Sequence, residues 1–175
     1  AANTIDDLLE LSRIELGGRG EQMEVNVGGV LSEAAARHRL TAESAGVHLS
    51  AVDTNGLMVR ADRLQLVSAV SNLVDNAVKY SNDGGTVRLS AAVVGEMLEI
   101  EVADQGVGIP ARDLDRIFER FYRVDRARSR ETGGTGLGLA IVRHIATNHG
   151  GDVTVRSREG EGSTFTLRIP IQQGE

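Results

Sequence analysis

The 175-residue chain contains no cysteine and no tryptophan, only two prolines, and 3% aromatic residues. Without cysteine there are no disulfides and no thiolate metal sites, which fits a reducing compartment. With so few rings the core must be largely aliphatic. No apolar run approaches the length of a membrane span, and the N-terminus lacks signal-peptide character. Excess positive charge is also missing: the net charge of −6 argues against general nucleic-acid binding, which needs a basic surface. What remains is an ordinary globular composition, 41% hydrophobic and 25% charged, in a length that suits one domain with a short appendage. Glycine is plentiful at 21 residues, and its placement matters more than its number.

Residues 1–17 read as the end of a helix: Ile5, Leu8, Leu9, Leu11 and Leu16 recur at helical spacing until Gly17-Gly18 stops them. The chain starts inside that pattern, as the remnant of a longer helix would. Residues 18–22 read as a linker, 23–170 as one domain and 171–175 as a tail. Inside the domain, residues 23–27 alternate as a strand, and an Ala-rich helix is expected from about Gly29 to Ala45. Val47–Val52 and Leu57–Ala61 flank Asp53-Thr54-Asn55-Gly56, a strong hairpin-type signal. A helix is expected over Asp62–Tyr80, then a hairpin of Thr86–Val94 with Met97–Ala103. Residues 105–136 are irregular apart from a helical stretch near Arg112–Phe118, which marks a lid or binding loop. A helix over Leu137–Asn148 and strands over Asp152–Ser157 and Ser163–Ile169 complete the pattern. The order predicts an α/β two-layer sandwich, helices on one face of a mixed, largely antiparallel sheet.

Three pieces carry chemistry. On the Asp62–Tyr80 helix, Asn72, Asn76 and Lys79 share one side while Val67, Val70, Leu73, Val74, Ala77 and Val78 take the other. A carboxamide oxygen is a hard, neutral donor suited to Mg²⁺, an ion held by few protein ligands together with substrate phosphates. Lys79, one turn on, can neutralise phosphate charge; a solvated polar face is the alternative reading. Asp104 ends an apolar strand and is followed by Gly106 and Gly108. Its carboxylate can accept from an exocyclic amine such as adenine N6, and the glycines let backbone approach a flat ring. An ordinary turn before Pro110 is the competing explanation. Residues 133–138, with Gly133, Gly134, Thr135, Gly136, Leu137 and Gly138, lead into a helix whose exposed N–H groups form an anion site. They match neither a phosphate-binding loop ending in Gly-Lys-Ser/Thr nor a dinucleotide fingerprint, and a flexible loop is the alternative.

Between these lies a segment with three of the chain's five aromatics, Phe118, Phe121 and Tyr122, and with Arg116, Arg120, Arg123, Arg126, Arg128 and Arg130. A lid over a polyphosphate needs such cations and apolar anchors. A nucleic-acid patch is disfavoured because the positive charge is local. The histidines show no ligand spacing; His38 and His144 read as surface or groove positions and His149 as part of a helix exit.

These residues resemble the catalytic and ATP-binding domain of bacterial sensor histidine kinases, in the wider group of Hsp90, gyrase and MutL ATPase domains. SNLVDNAVKYS resembles the N box, DQGVGIP the first glycine box, FERFYR the F box and GGTGLGLAIV the second glycine box. HGGDVTVRSREGEGSTFTLRIP resembles the usual C-terminal end, so the likeness covers nearly all of residues 23–170. The spacing also looks close to actinobacterial phosphate-responsive sensor kinases.

The resemblance implies a Bergerat-type fold, a mixed five-stranded sheet with three helices and a mobile ATP lid. It implies ATP and Mg²⁺ as ligands, with Asn76 on the metal and Asn72 assisting at metal or phosphate. Lys79 and Tyr80 are expected near the phosphates and the base–ribose region, and Asp104, Gly106, Gly108 and Ile109 at the adenine. Tyr122 and Arg123 belong to the lid, Arg123 as a γ-phosphate contact, and Gly134, Thr135, Gly136, Leu137, Gly138 and Leu139 line the phosphates. ATP-hydrolysing relatives carry a glutamate base where this chain has Asn72, which cannot take a proton from water; phosphoryl transfer is therefore favoured over hydrolysis. The phosphoacceptor of such kinases sits in a His-Glu/Asp-x-x-x-Pro context that does not occur here. Residues 1–17 resemble the last turns of the dimerisation hairpin.

The implied partners are ATP, the dimerisation and phosphoacceptor domain of the same kinase, and a response regulator, without nucleic acid. Such a fragment is expected to be monomeric and cytoplasmic, part of a homodimeric sensor that meets a membrane only through other segments. An anti-sigma-factor-type serine kinase shares the fold, and a nucleotide-binding module without transfer activity is the third reading.

Overall fold

In the computed structural model, which describes residues 4–124 and 136–172, the chain runs α1 (Thr4–Gly17), β1 (Met23–Asn26), α2 (Val27–Arg37), α3 (Arg39–Ser44), β2 (His48–Ala51), β3 (Met58–Ala61) and α4 (Arg63–Tyr80). It continues through β4 (Thr86–Val94), β5 (Met97–Asp104), a short 3-10 turn at Ala111–Asp113, α5 (Gly138–Asn148), β6 (Asp152–Arg158) and β7 (Gly162–Pro170).

Strict alternation along the long strands sends Val87, Leu89, Leu98, Ile100, Val102, Phe165, Leu167 and Ile169 to one buried face. The strands form a five-stranded sheet in the order β2-β4-β5-β7-β6, parallel at β2–β4 and antiparallel elsewhere. Helices α2, α4 and α5 cover the apolar face, and α1 packs on α5 through the buried Leu11 and Ile14. The mixed five-stranded sheet with three covering helices is the two-layer sandwich expected from the sequence.

α4 begins where Asp62 caps it, the carboxylate accepting from the Gln65 amide at 2.9 Å. It buries Leu66, Val67, Val70, Leu73, Val74 and Ala77, and so leaves its polar side for the site.

Two local expectations are corrected. The turn at 53–56 has the chemistry read from it: Asn55 and Gly56 take positive φ of 54° and 74°, and Asp53 Oδ1 accepts from the Asn55 amide at 2.8 Å. Its flanking strands nevertheless do not pair with each other. β3 runs antiparallel to β1, with Val59 opposite Val25, while β2 joins the main sheet beside β4. Val25 and Val59 are buried in one sheet and Leu49 in the other, and this burial outweighs the local turn. The single helix expected over 29–45 is two. His38 breaks it at φ −115°, ψ 8°, turning its ring to α4, where Nε2 lies 2.8 Å from Ser71 Oγ.

Candidate nucleotide site

The half-buried polar side of α4 presents Asn72, Asn76 and Lys79, and the helix ends at Tyr80. Asn72 Nδ2 donates to the Ser68 carbonyl one turn back, at 2.9 Å, which turns Oδ1 outward. The start of α5 lies there: a Cβ on Gly138 would sit 3.1 Å from Asn72 Oδ1. The second glycine motif is thus packed against the asparagine helix, its first-turn N–H groups free of helical partners by geometry. Gly136, at φ 78°, accepts from the Phe121 amide at 2.7 Å, and Phe121 itself is left-handed at φ 66°. A side chain on Gly136 would meet the Phe121 backbone at 2.7 Å, so this crossing requires glycine.

The first glycine motif approaches the other end of α4. A Cβ on Gly106 would fall 2.0 Å from the Tyr80 carbonyl oxygen, to which Val107 N–H donates at 3.1 Å. Asp104, the last residue of β5, accepts through Oδ1 from the amides of Gly106 at 2.9 Å and Ser163 at 3.3 Å. Burial pushes its carboxyl above the usual range, and the two amides pull partly the other way. With Oδ1 taken by the protein, Oδ2 is the oxygen left for an incoming donor. Ile109, half-buried against the core, donates its amide to Ser157 Oγ at 2.8 Å, fixing the loop to β6.

Among the described residues, the loop after Asp104 therefore meets the end of α4 at Tyr80, and Gly138 meets it at Asn72. The family model described as histidine kinase-, DNA gyrase B- and HSP90-like ATPase matches residues 61–173. The chain belongs to this family. Among family relatives, the chain is 46% identical over 170 residues to the sensor-like histidine kinase SenX3 of Mycolicibacterium smegmatis, covering 97% of this chain and 44% of that protein. It is 40% identical over 177 residues to the phosphate regulon sensor protein PhoR of Pseudomonas aeruginosa, covering 99% of this chain and 40% of that one. It spans less than half the length of these relatives. Among solved structures, the nucleotide-free catalytic domain of histidine kinase ThkA aligns with TM-score 0.76 at 27% identity, over 87% of this chain and 97% of that one. Full-length ShkA in complex with AMPPNP aligns with TM-score 0.80 at 28% identity, over 97% of this chain and 35% of that one. Within the family, the chain is an ATP-binding catalytic domain of the sensor histidine kinase type.

Other residues expected at the site have partners within the protein. Tyr122, assigned to the lid, is tied inward: its hydroxyl donates to the buried Asp113, and Arg116 lies over its ring at 4.6 Å. Two of the arginines read as lid cations have acidic partners, Arg116 with Glu119 at 3.2 Å and Arg120 with Glu15 of α1. Phe118 meets Phe165 edge-on at 6.2 Å, anchoring the segment to the sheet. Arg123 is half-buried, Leu137 fully buried, and Leu139 packs against the core. Gly133, Gly134, Thr135, Arg126, Arg128 and Arg130 lie outside the described residues.

Sequence reasoning missed Asp75, whose Oδ2 lies 2.9 Å from Lys79 Nζ. The acid-to-lysine spacing of four on a helix was the available signal. It also missed Ser163 and Asp113, which come from distant strands or loops and leave no local signature.

Proposed function

We propose that this chain binds ATP with Mg²⁺ and transfers the γ-phosphoryl group to a histidine on a dimerisation domain outside these 175 residues, for relay to a response regulator. The observation that supports this best is the convergence of both glycine motifs on the asparagine helix, with Gly138 against Asn72 and Gly106 against Tyr80. Asp104 Oδ2 would accept from the adenine amine. Gly136, Leu137 and Gly138 would offer backbone amides to the phosphates, joined by Lys79 and by Arg123 at the γ-phosphate.

The donor set fits Mg²⁺. Asn76, with Asn72 assisting, supplies neutral oxygens, and among the described residues no group of three or more acidic or histidine side chains could hold a metal alone. That is the pattern of an ion held partly by substrate phosphates, where it would offset charge in transfer. In the reaction the bond from the γ-phosphorus to the bridging oxygen breaks, a bond to the partner imidazole forms, and ADP leaves. Asn72 stands where a hydrolytic relative needs a carboxylate base, so water is not activated there.

In this reading residues 1–17 are the end of the dimerisation hairpin, 18–22 the linker, 23–170 the catalytic domain and 171–175 its tail. Among the described residues no helix is long and apolar enough to cross a membrane. The domain would act in the cytoplasm, monomeric by itself and homodimeric within a longer sensor.

The test is Mg·ATP binding by calorimetry together with γ-³²P transfer to a supplied phosphoacceptor hairpin. Binding lost in Asn76→Ala and Asp104→Ala, with acid-labile label on the hairpin histidine, is the expected result. Unchanged affinity in both variants would overturn the site assignment, and acid-stable label on a partner serine would favour the anti-sigma-type kinase.

A further inference from the structure

Of the 19 basic residues in this chain, only Lys79 is a lysine. An ammonium is a compact point charge on a flexible stem, and it needs an external restraint to hold one position, whereas a guanidinium carries a planar fork. The structure supplies such a restraint in two steps. Asp75, one turn back on α4, places Oδ2 2.9 Å from Lys79 Nζ. Its other oxygen, Oδ1, faces His38 Nδ1 at 3.7 Å, and His38 Nε2 lies 2.8 Å from Ser71 Oγ. Ser71, Asp75 and Lys79 follow each other at intervals of four along one ridge of α4. His38 comes from a different element, the break between α2 and α3.

We propose that His38 is a positioning residue for the phosphate-binding lysine: from the α2–α3 break it orients the Asp75 carboxylate, which in turn holds Lys79 beside the nucleotide site. This rests on the nucleotide reading above and extends it to a residue outside the pocket.

Hydrogen-bond polarity supports the arrangement. A neutral ring protonated at Nδ1 turns the positive end of its N–H dipole toward Asp75 Oδ1, at 3.7 Å beyond direct hydrogen-bond length, and accepts from the Ser71 hydroxyl at Nε2, so no acceptor faces an acceptor. Burial lowers the pKa of His38 and favours this neutral ring. Asp75 and a backbone hydrogen bond at Ser71 draw it upward, while Lys79 and Arg37 (the latter paired with Glu33) draw it down. A neutral His38 leaves the charge of Asp75 to Lys79 alone. The side chains of His38, Asp75 and Lys79 are 18%, 34% and 22% exposed, so water screens the relay only in part.

Because Lys79 is the only lysine, protein made with ¹³C,¹⁵N-lysine reports one side chain. In that sample His38→Ala should move the Lys79 side-chain signals of the free protein. It should weaken ATP about three- to tenfold, the worth of one polar contact, while adenosine binding followed by NMR titration stays unchanged. In a Lys79→Met background, His38→Ala should add no further loss. His38→Asn, whose amide N–H can face Asp75, should recover most of the ATP affinity and keeps the test open if the alanine variant does not fold. Immobile Lys79 signals, equal losses for ATP and adenosine, or losses that multiply in the double variant would each overturn the proposal while leaving the nucleotide site standing. A wild-type chain that binds no ATP would instead overturn the nucleotide reading and this inference with it.

Discussion

The backbone amide of Asp62 donates to His149 Nε2 at 3.1 Å, and His149 Nδ1 lies 2.9 Å from the Ile145 carbonyl. An acceptor at Nε2 requires the neutral ring with its proton on Nδ1, donated to Ile145. The ring is fully buried and joins the end of α5 to the start of α4.

That tautomer carries a pH dependence. Burial holds His149 below the ordinary histidine value, and burial does the same to His38. As pH falls through about 6.5 the unfolded chain takes up protons that the native rings resist. The stability from both rings is therefore full above that pH and declines as pH drops toward the folded values. Urea midpoints measured from about pH 8 down to about pH 5 should show the decline, and His149→Gln should flatten it. An unaltered slope in that variant would remove His149 as its source.

At Asp104 the sign is opposite. Its carboxyl is raised by burial, so its contribution favours the fold at low pH and is lost as pH rises through the raised value. Asp104→Asn keeps the acceptor for the Gly106 and Ser163 amides and removes the buried charge. Its melting temperature should equal or exceed that of wild type at neutral pH. ATP affinity should fall at least about tenfold, because a donor then faces the adenine amine. A parallel loss of stability and binding would mean that the carboxylate is structural.

Gly106→Ala should cost roughly 1–3 kcal/mol by chemical denaturation, since backbone must shift to admit the methyl group. The added atom would otherwise stand 2.0 Å from the Tyr80 oxygen. Gly17→Ala is the control: nothing lies within 4 Å of its Cβ, and helix propensity should make it neutral or slightly stabilising. Equal stability of the two variants would contradict the close approach of α4 and the first glycine motif.

Tyr122→Phe should lower the melting temperature, because the buried Asp113 loses the hydroxyl that donates to it. ATP affinity should stay within about twofold of wild type, since that hydroxyl is directed into the protein. A large loss of affinity without loss of stability would return Tyr122 to direct nucleotide contact.

Much of the fold is legible in the sequence. Alternation in 86–94 and 97–103 and the apolar stripe of 62–80 gave the sheet and its central helix, because each element buries one face and shows the matching period. The proximity of Gly138 to Asn72 follows from motifs that the sequence shows in order, and the nucleotide roles of Asn72 and Asp104 remain proposals. The failures have a common cause. Nothing near 53–56 shows that β3 prefers β1, since the deciding Val25–Val59 contact joins distant residues. His38 reads as a surface or groove position, and the sequence leaves its partners open because Ser71 and Asp75 lie on another helix.

The contact between Gly106 and Tyr80 has a consequence for how the pocket keeps its dimensions. Only main-chain atoms separate the end of the asparagine helix from the loop after Asp104, with Val107 N–H bonded to the Tyr80 oxygen at 3.1 Å. The approach of α4 to the loop after Asp104 is therefore gauged by peptide geometry, which is the same for every sequence. Aliphatic side chains beneath the sheet can be exchanged for others of similar bulk without resetting that gauge. That one contact is main chain on both sides, inside a body whose side chains can vary.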